Sequence, residues 1–350
     1  MRPEHRPVTG LSVVVLGGTG FLGRRIGAAC AAHGARVHLV SRAAPASAAA
    51  PGVSAVGLDL VTASPREIAE LFAAARPDVV VNAAGRAWQA DEAQMAAGNA
   101  ELVERVLTAL AGLPGPQVRL VQLGTVHEYG AGAPDTATAE DHEPAPVTPY
   151  GRTKLLGTRA VLRATGEREV EGVVLRLANV IGAGVPRGSL FGRVAAHLGE
   201  AARADARGEK PAELRLPALR AARDLVDADD VTAAVLAAAT APAADVAGQV
   251  INVGRGTAVP MRALVDRMVE LSGLELPVAE EAERSGSRTD VPRQCLDISR
   301  ARRLLGWTPL RGLDDSLRDL LASVLPPEHP RPATPLGITA DAPAEEGKRP

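Results

Sequence analysis

The stretch Leu16-Gly17-Gly18-Thr19-Gly20-Phe21-Leu22-Gly23 follows the apolar run Ser12-Val13-Val14-Val15 and leads into an Ala-rich amphipathic segment. It fits Gly-x-Gly-x-x-Gly from Gly18 and Gly-x-x-Gly-x-x-Gly from Gly17. Either pattern lets a chain leave a strand, turn tightly and enter a helix, with backbone N–H groups free to approach an anion at the positive helix end. A glycine pattern alone is a weak signal, but a strand before it and a helix after it are the context in which it binds a pyrophosphate. Gly17, Gly20, Phe21, Leu22 and Gly23 are therefore the first candidate binding residues.

Outward from this turn, short apolar runs alternate with longer amphipathic ones, the order of a parallel sheet covered by helices. Strands are expected at 12–16, 36–40, 53–58, 78–82, 118–123 and 173–177, and helices at 21–33, 65–75, 91–110 and 150–165. Runs as apolar as Asp78-Val79-Val80-Val81-Asn82 are expected where both sheet faces are buried. The fold class that follows is α/β, a doubly wound parallel sheet. Beyond Asn179 the pattern loosens into a Gly/Pro-rich loop, a helix at 190–203, a loop with Lys210-Pro211, the run Arg223 to Val226, a helix at 231–239 and a strand at 249–253. Residues 10–178 are read as one domain, with 223–253 returning to it. Residues 179–222 and 254–325 are read as a smaller substrate-binding lobe, and 1–9 and 326–350 as flexible tails.

Composition narrows the function. Charged residues make up 23% of the chain and the formal net charge is -2, so no global field draws nucleic acid or an anionic membrane. Aromatic residues are 2%, too few for a base-stacking platform. No apolar run reaches the ~18 residues of a membrane span. Cys30 and Cys295 supply neither a disulfide framework nor metal-ligand spacing, so no metal is expected and the compartment is read as the reducing cytoplasm.

The end of the second strand discriminates between dinucleotides. An Asp or Glu there accepts hydrogen bonds from the NAD ribose. This chain has Ser41-Arg42, a guanidinium able to grip a 2′-phosphate, which favours NADP(H) over NAD(H). Arg24 is a second cation available to it. Asp59 and Leu60 follow the third strand and Ala83, Ala84 and Gly85 the fourth, where strand ends meet the crevice of such a sheet.

Tyr150 and Lys154 lie four residues apart, hence on one helix face, with Pro149 suited to the helix entry. An ammonium beside a phenol favours its ionised form and brings it toward the range of proton transfer. The chain has only two tyrosines, and the strand before this pair ends in Thr125, a hydroxyl aimed at the same crevice. In order, the glycine turn, Asp59-Leu60, Asn82-Ala83-Ala84-Gly85, Thr125 with Tyr129-Gly130, Tyr150-x-x-x-Lys154, Leu175-Arg176-Leu177-Ala178-Asn179-Val180, Arg223-Asp224-Leu225-Val226-Asp227 and Leu305-Gly306-Trp307-Thr308-Pro309 resemble the extended short-chain dehydrogenase/reductases, in particular their nucleotide-sugar branch.

The resemblance implies a Rossmann-type sheet binding NADP and, by residue, the following roles. Thr125 would hydrogen-bond the reacting oxygen, Tyr150 would be the general acid, and Lys154 would bind the nicotinamide ribose. Val180 and Asn179 would border nicotinamide and substrate. Arg86, His127, Leu190 and Arg223 would face the substrate, with Arg288, Arg284 or Arg293 joining Arg223 on its diphosphate. It also implies a homodimer through the helices at 91–110 and 150–165.

Related 4,6-dehydratases carry Thr-Asp-Glu where this chain has Thr125-Val126-His127, and without those acids dehydration is not expected. Net reduction consumes NADPH at each turnover, whereas a 4-epimerase reuses bound NAD. The Ser41-Arg42 pair thus points to NADPH and net reduction, and among the family's members the Ala-rich, aromatic-poor chain most resembles 4-ketoreductases, which implies a nucleotide-linked, most readily dTDP-linked, 4-keto-6-deoxyhexose as substrate. Such enzymes complete deoxysugars for bacterial natural products, including antibiotics. Two alternatives stay open: an NAD-dependent nucleotide-sugar 4-epimerase, and a dinucleotide-binding regulator without catalysis.

Overall fold

In the computed structural model, which describes residues 5–43, 51–88, 90–133, 135–281 and 291–329, β1 (Ser12–Leu16) is buried along its whole length. Successive side chains of a strand point to opposite faces, and the packing follows. Val13 and Val15 join one apolar layer with Ile26, Val231 and Val235, while Val14 and Leu16 join another with Ile68, Phe72, Val106 and Val161.

Six further strands extend this one on both sides: β2 (Arg36–Ser41), β3 (Val53–Gly57), β4 (Val79–Asn82), β5 (Arg119–Thr125), β6 (Glu171–Leu177) and, last in the chain, β10 (Val250–Val253). Their order is β3-β2-β1-β4-β5-β6-β10, and every pairing is parallel. The chain runs outward from β1 to β3, then restarts on the other side of β1 with β4, so the order reverses between β1 and β4. Ligands of such sheets bind outside the strand carboxyl ends at that reversal.

The covering helices are α1 (Gly23–Ala32), α2 (Pro65–Ala75), α3 (Glu92–Ala96), α4 (Leu102–Ala111), α5 (Pro149–Gly166), α7 (Ala228–Thr240), α8 (Ala243–Val246) and α10 (Ser299–Leu305). Their starts are encoded locally. Ser64 caps α2 in a reciprocal box with Glu67, Pro65 opens the first turn, and the hydroxyl of Thr148 accepts the Gly151 N–H of α5 at 3.1 Å. The expected single helix at 91–110 is instead α3, a π-helical turn at Ala97–Glu101, and α4.

The second lobe has α6 (Leu190–Asp205), α9 (Met261–Ser272) and α11 (Leu313–Ala322) around a separate core of Phe191, Val194, Leu198, Leu264, Met268, Leu317 and Leu321. Its short strands are β7 (Asn179–Ile181), β8 (Leu214–Leu216), β9 (Ala222–Asp227), β11 (Ala258–Pro260), β12 (Val278–Glu280) and β13 (Arg293–Gln294). Here the expectation that 223–253 returns to the main sheet holds only in part. β10 pairs with β6 and α7 packs on α1 and β5, but β9 pairs with β7, β11 and β13 in the second sheet. The edge of β6 is already taken by β10, which leaves β9 to the partners of the lobe.

Residues read as parts of the two tails have partners in the fold. Arg6 N–H donates to Thr240 O at 3.0 Å, Arg6 reaches Ala239 O, and His329 Nε2 lies 2.7 Å from Ser272 O. Side-chain and backbone partners near both ends thus hold residues that polarity alone marks as loose.

Candidate active site

The glycine turn fits against its neighbours with no room for side chains. Gly17 has φ +77, and a Cβ there would lie 2.9 Å from the backbone of Ala84. A Cβ on Gly23 would lie 2.1 Å from Gly17 O. Gly17 and Gly18 both donate to Val40 O, at 3.0 and 2.9 Å, and Gly20 donates to Gly17 O at 2.9 Å. The turn is therefore stitched to β2 on one side and pressed on the end of β4 on the other. Ala83 N–H donates to Leu16 O at 3.0 Å, and Ala84 N–H to Asn82 Oδ1 at 3.2 Å, so Gly85 enters the crevice on a fixed path. Phe21 lies under the guanidinium of Arg25, whose carbon is 4.8 Å from the ring centre.

At the end of β2, Ser41 is buried with its hydroxyl on Ala43 O, and Arg42 is exposed. Arg24 does not join Arg42. Its guanidinium reaches across to Ala183 O and Gly184 O, at 3.5 and 3.4 Å, because the loop after β7 crosses the start of α1. Asp59 accepts the Val61 N–H at 3.0 Å beside buried Leu60.

The structure brings Thr125, Tyr150 and Lys154 together. Thr125 ends β5 and Tyr150 lies in the first turn of α5, with the Thr125 hydroxyl near enough to act on the phenol. Lys154, one turn on, is buried, and its ammonium donates to Leu123 O at 2.5 Å. The close approach of α5 requires Gly151, where a Cβ would lie 2.4 Å from His127 O. One expectation is reversed: Tyr150 is not brought down. Burial pushes its phenol up to about 12, the Thr125 hydroxyl opposes this and Glu128 adds to it. Lys154 contributes little because its charge is turned to the strand carbonyl, and burial pulls its own ammonium down.

His127 stands edge-on to Tyr150, with ring centres 5.8 Å apart. Burial, then the charge of Arg223, lowers it to about 4 against a hydrogen bond with Asn179, so the imidazole is neutral at physiological pH. Asn179 also donates to Asp224 O at 3.1 Å, with half-buried Val180 next to it. Arg223, Asn179 and His127 thus gather on the lobe side of the phenol. Leu190 opens α6, half buried. Arg293 turns away to Thr136 O at 2.8 Å, while Arg284 and Arg288 lie outside the described residues. Among the described residues there is no metal-binding group of His, Cys, Asp or Glu, and no helix long and apolar enough to cross a membrane.

Three residues at this site escaped the sequence reading. Asn99, in the π-helical turn, accepts Arg86 N–H at 2.8 Å, donates to Arg86 O at 2.8 Å and to the Thr153 hydroxyl at 3.1 Å. Thr153 in turn donates to Tyr150 O at 3.1 Å, which ties the Arg86 loop to the first turn of α5. Glu128 and Arg176 form a wholly buried ion pair at 2.9 Å. Glu128 also accepts from Thr125 N–H at 2.8 Å and the Thr158 hydroxyl at 2.9 Å, so one carboxylate joins β5, β6 and α5 behind the phenol. A charged residue inside the apolar strand Val173-Val174-Leu175-Arg176-Leu177 was the readable signal, since it demands a partner.

With a protonated phenol, a hydroxyl and a neutral imidazole facing one crevice, the arrangement is suited to delivering a proton to a substrate oxygen. Comparison with known proteins identifies the family. The NAD dependent epimerase/dehydratase family matches residues 13–254. The dTDP-6-deoxy-L-talose 4-dehydrogenase (NAD(P)(+)) of Kitasatospora kifunensis is 46% identical over 308 residues, 88% of this chain and 94% of that protein. Among solved structures, MoeE5 in complex with UDP-glucose and NAD superposes with TM-score 0.72 at 25% identity, covering 89% of this chain and 97% of MoeE5. The epimerase Mth375 from Methanothermobacter thermautotrophicus superposes with TM-score 0.76 at 22% identity, covering 90% and 92%. The chain therefore belongs to the NAD-dependent epimerase/dehydratase family of extended short-chain dehydrogenase/reductases.

Proposed function

We infer that this protein uses NADPH to reduce the C4 ketone of a nucleotide-linked, dTDP-borne 4-keto-6-deoxyhexose. The observation that carries the reading is the Thr125–Tyr150–Lys154 cluster at the strand ends together with an exposed Arg42 at the end of β2, where the sequence has no adjacent Asp or Glu. The sugar comes from the relative's specificity at 46% identity, a 4-dehydrogenase whose reverse reaction is this reduction.

The crevice fits an extended dinucleotide. The bare backbone at Gly17 and Gly23 leaves a cradle that a Cβ would fill. Gly17, Gly20, Phe21, Leu22 and Gly23 would hold the pyrophosphate at the start of α1, and Ser41 and Arg42 a 2′-phosphate. Asp59 and Leu60 would hold the adenine, Ala83, Ala84 and Gly85 would line the path, and Tyr150, Lys154 and Val180 would flank the nicotinamide end. When bound, NADPH supplies the hydride that the ketone carbon receives.

The protein's own groups handle the proton. Burial keeps Tyr150 protonated, the form that gives a proton to the carbonyl oxygen, and Thr125 steadies the charge growing on that oxygen. Lys154, fixed on Leu123 O one turn along α5, would reach the nicotinamide ribose. Asn179, His127, Arg86 and Leu190 would border the sugar and Arg223 the diphosphate. The protein would work in the cytoplasm, where NADPH is supplied. It would work as a homodimer through α4 and α5, where Leu156 is 53% exposed.

The test is NADPH oxidation by the purified protein across a panel of dTDP- and UDP-linked 4-keto sugars. Consumption with a dTDP-4-keto-6-deoxyhexose is the expected result. Co-purified NAD, sugar epimerisation and no NADPH consumption would replace reduction by epimerisation.

A further inference from the structure

Trp88 is 50% exposed in a chain that is only 2% aromatic. The other tryptophan, Trp307, is 5% exposed and donates its indole N–H to Asp230 O at 2.9 Å. An indole left in water forgoes its apolar burial, and such rings concentrate where a ligand or partner covers them.

Its position says which. Trp88 sits on the loop that leaves the carboxyl end of β4, the side on which Thr125 and Tyr150 meet. Two residues earlier, Arg86 is clamped at both backbone groups by Asn99, and Asn99 leads through Thr153 to the backbone of Tyr150. The loop is thus held in register with the phenol. Opposite, Gly188 lies in the loop between β7 and α6 of the second lobe. A Cβ there would lie 2.8 Å from Trp88 Cβ and 3.1 Å from its Cγ. The side chain therefore bridges the two walls of the crevice, and bare backbone at Gly188 makes room for it.

We propose that Trp88 is a specificity-determining residue whose indole face forms one wall of the sugar subsite and receives the apolar C5–C6 edge of a 6-deoxyhexose. The proposal rests on the nucleotide-sugar reading above. A C6 methyl group packs on an indole face, whereas a C6 hydroxyl loses water there and finds no partner, since the only indole donor is at the ring edge. An apolar wall rejects an added hydroxyl only modestly, by about tenfold to a hundredfold.

The test titrates the full-length protein with dTDP, dTDP-L-rhamnose and dTDP-L-mannose, which differs from the rhamnoside only by a C6 hydroxyl, reading tryptophan emission and, by calorimetry, affinity. The expected result is an emission change with dTDP-L-rhamnose that is absent in Trp88→Phe and absent with dTDP alone. Trp88→Ala should weaken dTDP-L-rhamnose about tenfold, leave dTDP unchanged and erase the preference over dTDP-L-mannose. Gly188→Ala, which crowds the indole, should reproduce part of that loss in the wild-type background and none in Trp88→Ala. Equal losses for dTDP and dTDP-L-rhamnose, or no loss for either, overturn the assignment. A wild-type protein that binds none of the three overturns the nucleotide-sugar reading and this inference with it. Binding with unchanged discrimination in Trp88→Ala overturns this inference alone.

Discussion

Replacing Arg176 with methionine isolates the buried carboxylate behind the active site. Arg176 and Glu128 side chains are 2% and 0% exposed, and Nε and Nη2 of the arginine both bond to Oε2, at 3.0 and 2.9 Å. The guanidinium also lies 4.2 Å above the Tyr129 ring centre. Methionine retains most of the apolar volume but leaves Glu128 with only the Thr125 N–H and the Thr158 hydroxyl. Breaking a buried pair from one side costs about 3–5 kcal/mol, because the remaining charge is desolvated and unpaired. Lys154, whose charge acts on Glu128, offsets part of this, so the expected loss is about 3 kcal/mol.

The double variant separates charge from packing. Glu128→Gln combined with Arg176→Met removes both charges and should recover at least ~1.5 kcal/mol relative to the sum of the single changes. Urea unfolding of the four proteins measures both quantities. A loss below about 1 kcal/mol or strict additivity would refute the charge-pair argument.

Three further outcomes follow from the same geometry. Tyr150→Phe should lower kcat by roughly 10²- to 10⁴-fold, the usual worth of a positioned acid, while NADPH affinity measured by calorimetry stays within about threefold. Arg42→Asp should reverse the cofactor preference by removing a grip on the 2′-phosphate and adding a ribose acceptor, read as the ratio of kcat/KM with NADPH and NADH. His127, lowered to about 4 in the folded state from an ordinary value near 6.5, binds its proton later than in the unfolded chain. Stability should therefore fall as pH drops from about 6.5 to about 4, by up to ~1.4 kcal/mol per unit, and His127→Asn should flatten that limb in pH-dependent melting.

The parallel sheet was readable because its strands are buried on both faces, and runs such as Val79-Val80-Val81 need no alternation to be recognised. The short strands of the second lobe escaped because two or three residues, as in Arg293–Gln294, are too few to display a period. The π-helical turn at Ala97–Glu101 was hidden for another reason. Its residues suit an α-helix, and only the tertiary demand to place Asn99 against Arg86 and Thr153 opens the turn. Arg176 announced a buried charge, but its partner lies 48 residues earlier, beyond any local spacing rule.

Tyr150 and Lys154 show most clearly where spacing stops and three dimensions take over. Four residues put both groups on one helix face, which the structure bears out, yet proximity alone does not decide which way a charge acts. Lys154 spends its shortest hydrogen bond on Leu123 O, and the nearest carboxylate, Glu128, is satisfied by Arg176, Thr158 and the Thr125 backbone. Desolvation is then the largest influence on the phenol, and it favours the neutral acid. The phenol so held carries its proton, as the reduction proposed above requires of its acid. That burial depends on how closely α5 is drawn onto the strand ends, which Gly151 permits by letting its backbone close on His127 O.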